Sequence, residues 1–160
     1  MEAGASDPLI RPLEEFGTTF DTHLHCHGSA VSFDGRGLLL LGTSGTGKSA
    51  LALSLMAHGA QLFADDGVRL TAEDGRLLMH RPDTTPPLIE ARNVGLLAAT
   101  LAPGPLPLRL AVDLDRPEPA RLPPRRKVAW AGATAELIQG AGQPMLWAVL
   151  IQYLRGGRVE

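Results

Sequence analysis

The sequence predicts an α/β fold with a mixed β-sheet flanked by helices. Three observations point to it: a continuous apolar run, Leu38–Leu41; a glycine-rich octet, Gly42–Ser49, directly after it; and a segment, Lys48–His58, with apolar residues at helical spacing that leads into a second short apolar run, Gln61–Ala64. Strand, tight turn, helix and strand in this order are the repeating unit of α/β sheets.

Taken in chain order, residues 1–20 read as a flexible N-terminal lead-in. Gly, Pro and acidic residues dominate, and Glu2, Asp7 and Arg11 break any apolar core that a signal peptide or anchor would need. Residues 21–160 are expected to form a single domain. Ser29–Phe33 alternates with strand composition, Asp34-Gly35 signals a turn, and Leu38–Leu41 reads as a strand buried on both faces. Leu51, Ala52, Leu55 and Met56 give Lys48–His58 an apolar face, and Gly59 ends that helix. Val68–Thr71 and Arg76–His80 flank Glu73-Asp74-Gly75, a hairpin pattern. From Arg81 the chain is Pro-rich and expected to be loop, with a short helix at Asn93–Leu101. Leu108–Leu114 reads as a strand, Arg116–Lys127 as an exposed loop with four prolines and four arginines, and Pro144–Leu154 as the second helix, with Pro144 in its first turn.

Composition narrows the function classes. The 160 residues are 44% hydrophobic, enough for one core, and a chain of this size buries roughly two-thirds of its unfolded surface. A net charge of −2 gives no field for nucleic acid or an anionic membrane, and 4% aromatic residues give no base-stacking surface. Met145–Ile151 is far shorter than a membrane span. The lone Cys26 fits a reducing compartment, so a cytoplasmic protein is expected.

The octet carries the strongest signal. Gly42-Thr43-Ser44-Gly45-Thr46-Gly47-Lys48-Ser49 matches G-x-x-x-x-G-K-[ST] throughout, between a buried strand and an amphipathic helix. Glycines let successive backbone N–H groups turn inward toward phosphate oxygens, and the following helix aims its positive end at the same anion. Lys48 is placed to reach the β- and γ-phosphates of a nucleotide, and Ser49 to offer its hydroxyl to Mg²⁺.

Asp65 and Asp66 end the strand that returns from this helix. If Gln61–Ala64 runs parallel to Leu38–Leu41, both carboxylates lie on the cradle side, since ligands in open α/β sheets sit at the C-terminal ends of the strands. One acid can serve Mg²⁺ and the other can take a proton from an attacking hydroxyl; adjacent residues in a strand face opposite ways, which suggests separate tasks. An ordinary Asp-Asp-Gly turn is the alternative. His23, His25 and His27 alternate around Cys26, a poor tetrahedral cage without distant ligands. Pairing gives His27 a better use: a hairpin of Ser29–Phe33 with Leu38–Leu41, extended backward, sets it opposite the start of the cradle. Glu90 and Arg92, two residues apart in extended backbone, project from one face, where Glu90 can assist Mg²⁺ and Arg92 can meet a phosphate, or the two can form a solvated ion pair. Arg121, Arg125, Arg126 and Lys127 form the densest basic patch, either a solvated loop or a contact for phosphate or an acidic partner.

Taken together, His27-Gly28, Gly42–Ser49, Ala64-Asp65-Asp66 and Glu90-x-Arg92-x-x-Gly95 resemble the catalytic domain of HPr kinase/phosphorylase, in the short bacterial form without an N-terminal domain. The likeness covers about residues 22–115. It implies a P-loop kinase-like core and a serine kinase that uses ATP and Mg²⁺ to phosphorylate the phosphocarrier protein HPr, with a reverse reaction in which inorganic phosphate attacks phosphoserine. It further implies Asp65 as general base, Asp66 and Ser49 at Mg²⁺ with Glu90 as a further metal-side acid, His27 setting the state of the aspartate, and a homo-oligomer. Asn93 departs from the pattern, where the family usually has glycine. A small-molecule P-loop kinase and a non-catalytic ATP-binding regulatory module are the rival readings.

Overall fold

In the computed structural model, which describes residues 8–160, the chain orders itself around β5 (Arg36–Leu41) and β11 (Leu106–Asp113). These two strands run parallel, with Leu38–Leu41 in step with Leu110–Asp113. β5 also pairs antiparallel with β4 (Gly28–Phe33), and β4 with β6 (Gln61–Ala64). β6 therefore points the same way as β5 with β4 between them, as the sequence reading required. On the other side β11 runs parallel to β13 (Ala133–Gln139), which forms a hairpin with β12 (Arg126–Trp130). The N-terminal end of β11 leaves this layer and pairs with β8 (Arg76–His80), and the sheet curls on through β7 (Val68–Glu73), β3 (Leu24–Cys26) and β2 (Gly17–Thr19).

The apolar run in β5 is buried on both faces because it divides two cores. Leu38 and Leu40 join the cluster under the helices α1 (Lys48–Ala57) and α2 (Leu146–Gly156), with Ala52, Leu55, Leu150 and Leu154. Leu39 and Leu41 join the cluster enclosed by the curl, with Phe63, Leu70, Met79 and Val128. Both helices thus lie on one face of the sheet, and the sheet's own wing covers the other. At position 37 there is no room for a side chain: a Cβ there would sit 2.4 Å from Pro107 O and from Met79 Cε, where β11 changes partners.

Three elements differ from the sequence reading. Arg126 and Lys127, read as the end of an exposed loop, open β12, with Arg126 buried. Asn93–Leu101 is not a helix: β9 (Leu88–Ala91) and β10 (Gly95–Ala98) form an antiparallel hairpin, turned by Asn93 at φ 67°. The apolar residues Leu96 and Leu97 are adjacent, too few to fix a period, and both are exposed. At the N-terminus, residues 8–20 of the segment read as a lead-in contain β1 (Ile10–Pro12), a 3-10 turn (Leu13–Phe16) and β2, and Leu13 is fully buried. The physical reason is non-local, because β1 pairs parallel with β12, a strand more than 100 residues away. Residues 1–7 lie outside the described residues. α2 begins after Pro144, with Met145 at φ 52° preceding its first turn.

Candidate active site

The glycine-rich octet forms the turn between β5 and α1. Gly42, Gly45 and Gly47 have φ of 151°, 88° and 94°, which a residue with a side chain rarely adopts. A Cβ on Gly42 would also come within 2.7 Å of Thr46 Oγ1. Thr46 closes the loop on itself, its hydroxyl donating to Thr43 O at 2.9 Å, and it does not line the cavity. The Lys48 ammonium donates to Gly42 O (2.8 Å) and Thr43 O (3.1 Å), so it lies over the loop.

A cavity of ≈ 1040 Å³ opens over this turn and is lined by Gly42–Gly45, Gly47–Ser49, His27, Asp65, Asp66, Glu90 and Arg92. Apart from Thr46, the structure brings together every candidate residue of the nucleotide and catalytic site. Asp65 is the hub. Its Oδ1 accepts from Ser49 Oγ at 2.7 Å and Ser29 Oγ at 2.9 Å, and its Oδ2 faces the Glu90 amide at 3.4 Å. The strand alternation expected for the acid pair is broken by Asp66, whose φ of 62° is left-handed; both carboxylates therefore reach the same cavity. It is Asp65, not Asp66, that meets Ser49. His27 sits one residue before the Gly28–Leu41 pair, at the head of the cradle, its amide bonded to Phe16 O (3.0 Å) and its ring edge-on to His25.

Several lining residues carried no sequence signal of their own. Ser29, 1% exposed within the fully buried β4, holds Asp65. Arg11, Glu15, Asp113, Asp115 and Arg116 also line the cavity. Arg11 bonds Asp113 at 2.5 Å and Glu15 at 2.9 Å. Burial works against its charge, but the two carboxylates outweigh burial and raise its pKa above the ordinary value. The sequence shows Asp113 and Asp115 closing a strand, but nothing local sets that strand beside β5. The basic patch does not reach this cavity. Arg126 is bidentate to Glu118 (2.9 and 3.1 Å), and Arg125 donates to the carbonyls of Arg158 and Val159. Cys26 is fully buried, and burial, aided by Glu14, pushes its thiol up to about 12, so it stays a neutral packing group.

The donor set suits a magnesium-bound polyphosphate. Mg²⁺ takes oxygen ligands, typically one or two carboxylates together with phosphates and waters, and needs no all-protein cage. The Ser49 hydroxyl and Asp65 carboxylate lie side by side at the helix end of the cradle, and Asp66 and Glu90 line the same cavity.

Comparison with known proteins places the chain. The family model described as HPr Serine kinase C-terminal domain matches residues 18–104. The HPr kinase/phosphorylase of Clostridium botulinum (strain Eklund 17B / Type B) is 39% identical over 74 residues, 46% of this chain and 24% of that protein. That of Peptoclostridium acidaminophilum is 46% identical over 72 residues, 44% of this chain and 23% of that protein. The aligned stretch is thus about a quarter of each relative. The Hpr(Ser) kinase/phosphatase from Coxiella burnetii shares the fold, with a TM-score of 0.62 at 22% identity over 82% of this chain and 88% of that one. No helix among the described residues is long and apolar enough to cross a membrane. With the cradle, the acid pair and the Glu90-x-Arg92 hairpin all inside the matched stretch, this chain belongs to the HPr serine kinase C-terminal domain family.

Proposed function

We propose that this protein transfers the γ-phosphoryl group of Mg²⁺-bound ATP to a serine of the phosphocarrier protein HPr, and runs the reverse phosphorolysis with inorganic phosphate. The observation that carries this reading is the Asp65 carboxylate, held by Ser29 and placed 2.7 Å from the cradle's Ser49. Phosphoryl transfer asks little covalent chemistry of a protein; it needs alignment of nucleophile and phosphate and neutralisation of charge. Gly42–Ser49 and Lys48 bind the phosphates. Ser49, Asp66 and Glu90 would hold Mg²⁺, which when bound would neutralise phosphate charge. Asp65 accepts the proton of the incoming serine hydroxyl and returns one in the reverse direction. His27 and Arg92, which line the same cavity, orient the carboxylate and meet phosphate. The acceptor is a protein surface, and the protein works in the cytoplasm as a homo-oligomer.

Incubation with γ-labelled ATP, Mg²⁺ and HPr, followed by mapping of the labelled residue, tests the reading. Label on one serine of HPr is expected. Asp65→Asn should lower transfer by about 10³-fold or more, within the range for loss of a positioned base and its alignment, while changing nucleotide affinity little. Full transfer by Asp65→Asn sinks the base assignment; label on a small metabolite instead of any phosphocarrier sinks the protein-kinase assignment.

A further inference from the structure

We infer that Asp115 is a positioning residue for the phosphate cradle, fixing Thr43 at the head of the loop from outside it. This rests on the reading of Gly42–Ser49 as the phosphate site. The Thr43 amide points at both oxygens of the Asp115 carboxylate (3.1 and 3.0 Å), and the Thr43 hydroxyl donates to Oδ1 at 2.9 Å. One side chain thus takes both polar hydrogens of the residue that starts the turn. Asp115 is itself anchored. Its amide donates to Asp113 Oδ1 at 2.8 Å, and the other oxygen of Asp113 accepts from Arg11 at 2.5 Å. Asp113 is fully buried and Arg11 is 3% exposed. Between the two acids, the Leu114 amide donates to Leu41 O at 2.8 Å, carrying the β5–β11 ladder to the edge of the cradle. Gly42 is seated so close to Leu114 that a Cβ would lie 3.3 Å from the Leu114 Cβ.

The physical need for such a brace follows from the loop's composition. Three glycines in eight residues leave the unbraced segment many conformations, and phosphate binding by backbone N–H groups is effective only when those groups already converge. Charge-assisted bonds are stronger and shorter than neutral ones, so a carboxylate holds Thr43 better than an amide would. Neither Arg11, Asp113 nor Asp115 lies in the family-matched stretch, residues 18–104. The brace also ties the N-terminal strand to the site, through Arg11.

An opposing view treats Asp115 as an anion that repels phosphate, and the two views predict opposite signs. Asp115 is exposed, so its variants should keep the fold, and a thermal melt of each checks that. Hydrogen–deuterium exchange of the chain without nucleotide reads the brace directly: Asp115→Ala should speed exchange at Thr43–Thr46 by about tenfold, with Asp115→Asn in between. Titration with a fluorescent ATP analogue and Mg²⁺ should then show affinity falling about fivefold or more in Asp115→Ala and less in Asp115→Asn. Exchange at the wild-type rate in Asp115→Ala overturns the brace, as does tighter nucleotide binding by Asp115→Asn. Failure of the underlying phosphate-site reading has a different signature: Lys48→Ala would bind the analogue as well as wild type, while the exchange result would still report on Asp115.

Discussion

Arg11 offers a direct measurement of how firmly the N-terminal strand is built into the domain. Its guanidinium stacks over the Phe16 ring at 5.0 Å and pairs with Asp113, whose side chain is 1% exposed. Arg11→Met keeps the apolar stem and removes the charge, leaving the Asp113 carboxylate without its ion-pair partner and away from water. Loss of one partner of a buried pair costs roughly 3–5 kcal/mol, whereas removal of both charges is nearly neutral. Against a total stability of about 5–15 kcal/mol for a domain of this kind, Arg11→Met should remove a large share. Adding Asp113→Asn should return most of it, because the amide oxygen can still accept the Asp115 N–H that Asp113 Oδ1 now holds. Urea denaturation followed by circular dichroism gives both numbers from the shift in midpoint at constant slope. If Arg11→Met unfolds within about 1 kcal/mol of wild type, or if Asp113→Asn fails to recover stability on that background, the pair is not sealed as the structure has it.

The other stability predictions use turn and surface geometry. Ala131, at φ 49°, precedes Gly132 in the β12–β13 turn, and a left-handed alanine costs roughly 1 kcal/mol; Ala131→Asn should raise stability by about 0.5–1 kcal/mol in the same assay, and a loss would refute the turn assignment. Burial opposes the charge on Glu136, but the Tyr153 hydroxyl and Arg109 outweigh it and lower its pKa. Its contribution is therefore complete above the unfolded glutamate value, about 4.3, and is lost as pH falls through the folded value. Glu136→Gln should destabilise by about 1 kcal/mol at neutral pH, allowing for screening at a partly exposed site. The difference between variant and wild type should narrow as pH drops from 7 toward 3, and a gap that widens with acid would be the wrong sign.

What the sequence revealed was what local chemistry decides. The octet, α1 and the return strand were legible because each rests on residues within one turn or strand. So were the hairpins at Asp34-Gly35 and Asp74-Gly75, whose central residues have φ of 52° and 78°, and 52° and 77°. The β12–β13 hairpin was not, since its turn is Ala131-Gly132 and its first strand begins Arg126-Lys127, which resembles solvated loop until Glu118 is seen to pair with Arg126. The left-handed residue at the β9–β10 turn is Asn93, the residue after glycine best able to adopt that conformation, so the departure from the usual glycine leaves the hairpin intact. On the site side, Asp65 and His27 followed from strand pairing that runs through adjacent segments. Ser29, Arg11, Asp113 and Asp115 did not, because nothing local says that β11 lies beside β5 or that β1 lies beside β12.

The cavity's charge sets a condition on any phosphate ligand. Among the described residues, six carboxylates line it (Glu15, Asp65, Asp66, Glu90, Asp113 and Asp115) against four cationic side chains (Arg11, Lys48, Arg92 and Arg116). Of these cations, Arg11 is committed to Asp113 and Glu15, which leaves three for a ligand. On the proposed reading Lys48 and the cradle amides would attract phosphate, yet the negative charge of a triphosphate would also meet Asp65, Asp66 and Glu90 in the same cavity. Like charges at such separations repel by on the order of 1–4 kcal/mol per pair at the effective dielectric of a protein surface. A divalent cation held by these carboxylates would offset that repulsion. Binding of the fluorescent ATP analogue should therefore weaken by about tenfold or more when Mg²⁺ is replaced by EDTA, and Asp66→Asn should reduce that dependence, because it removes part of the charge the ion offsets. Equal affinity with and without Mg²⁺ would mean that the acidic wall stands clear of the phosphates, and the metal-side assignment of Asp66 and Glu90 would fall with it.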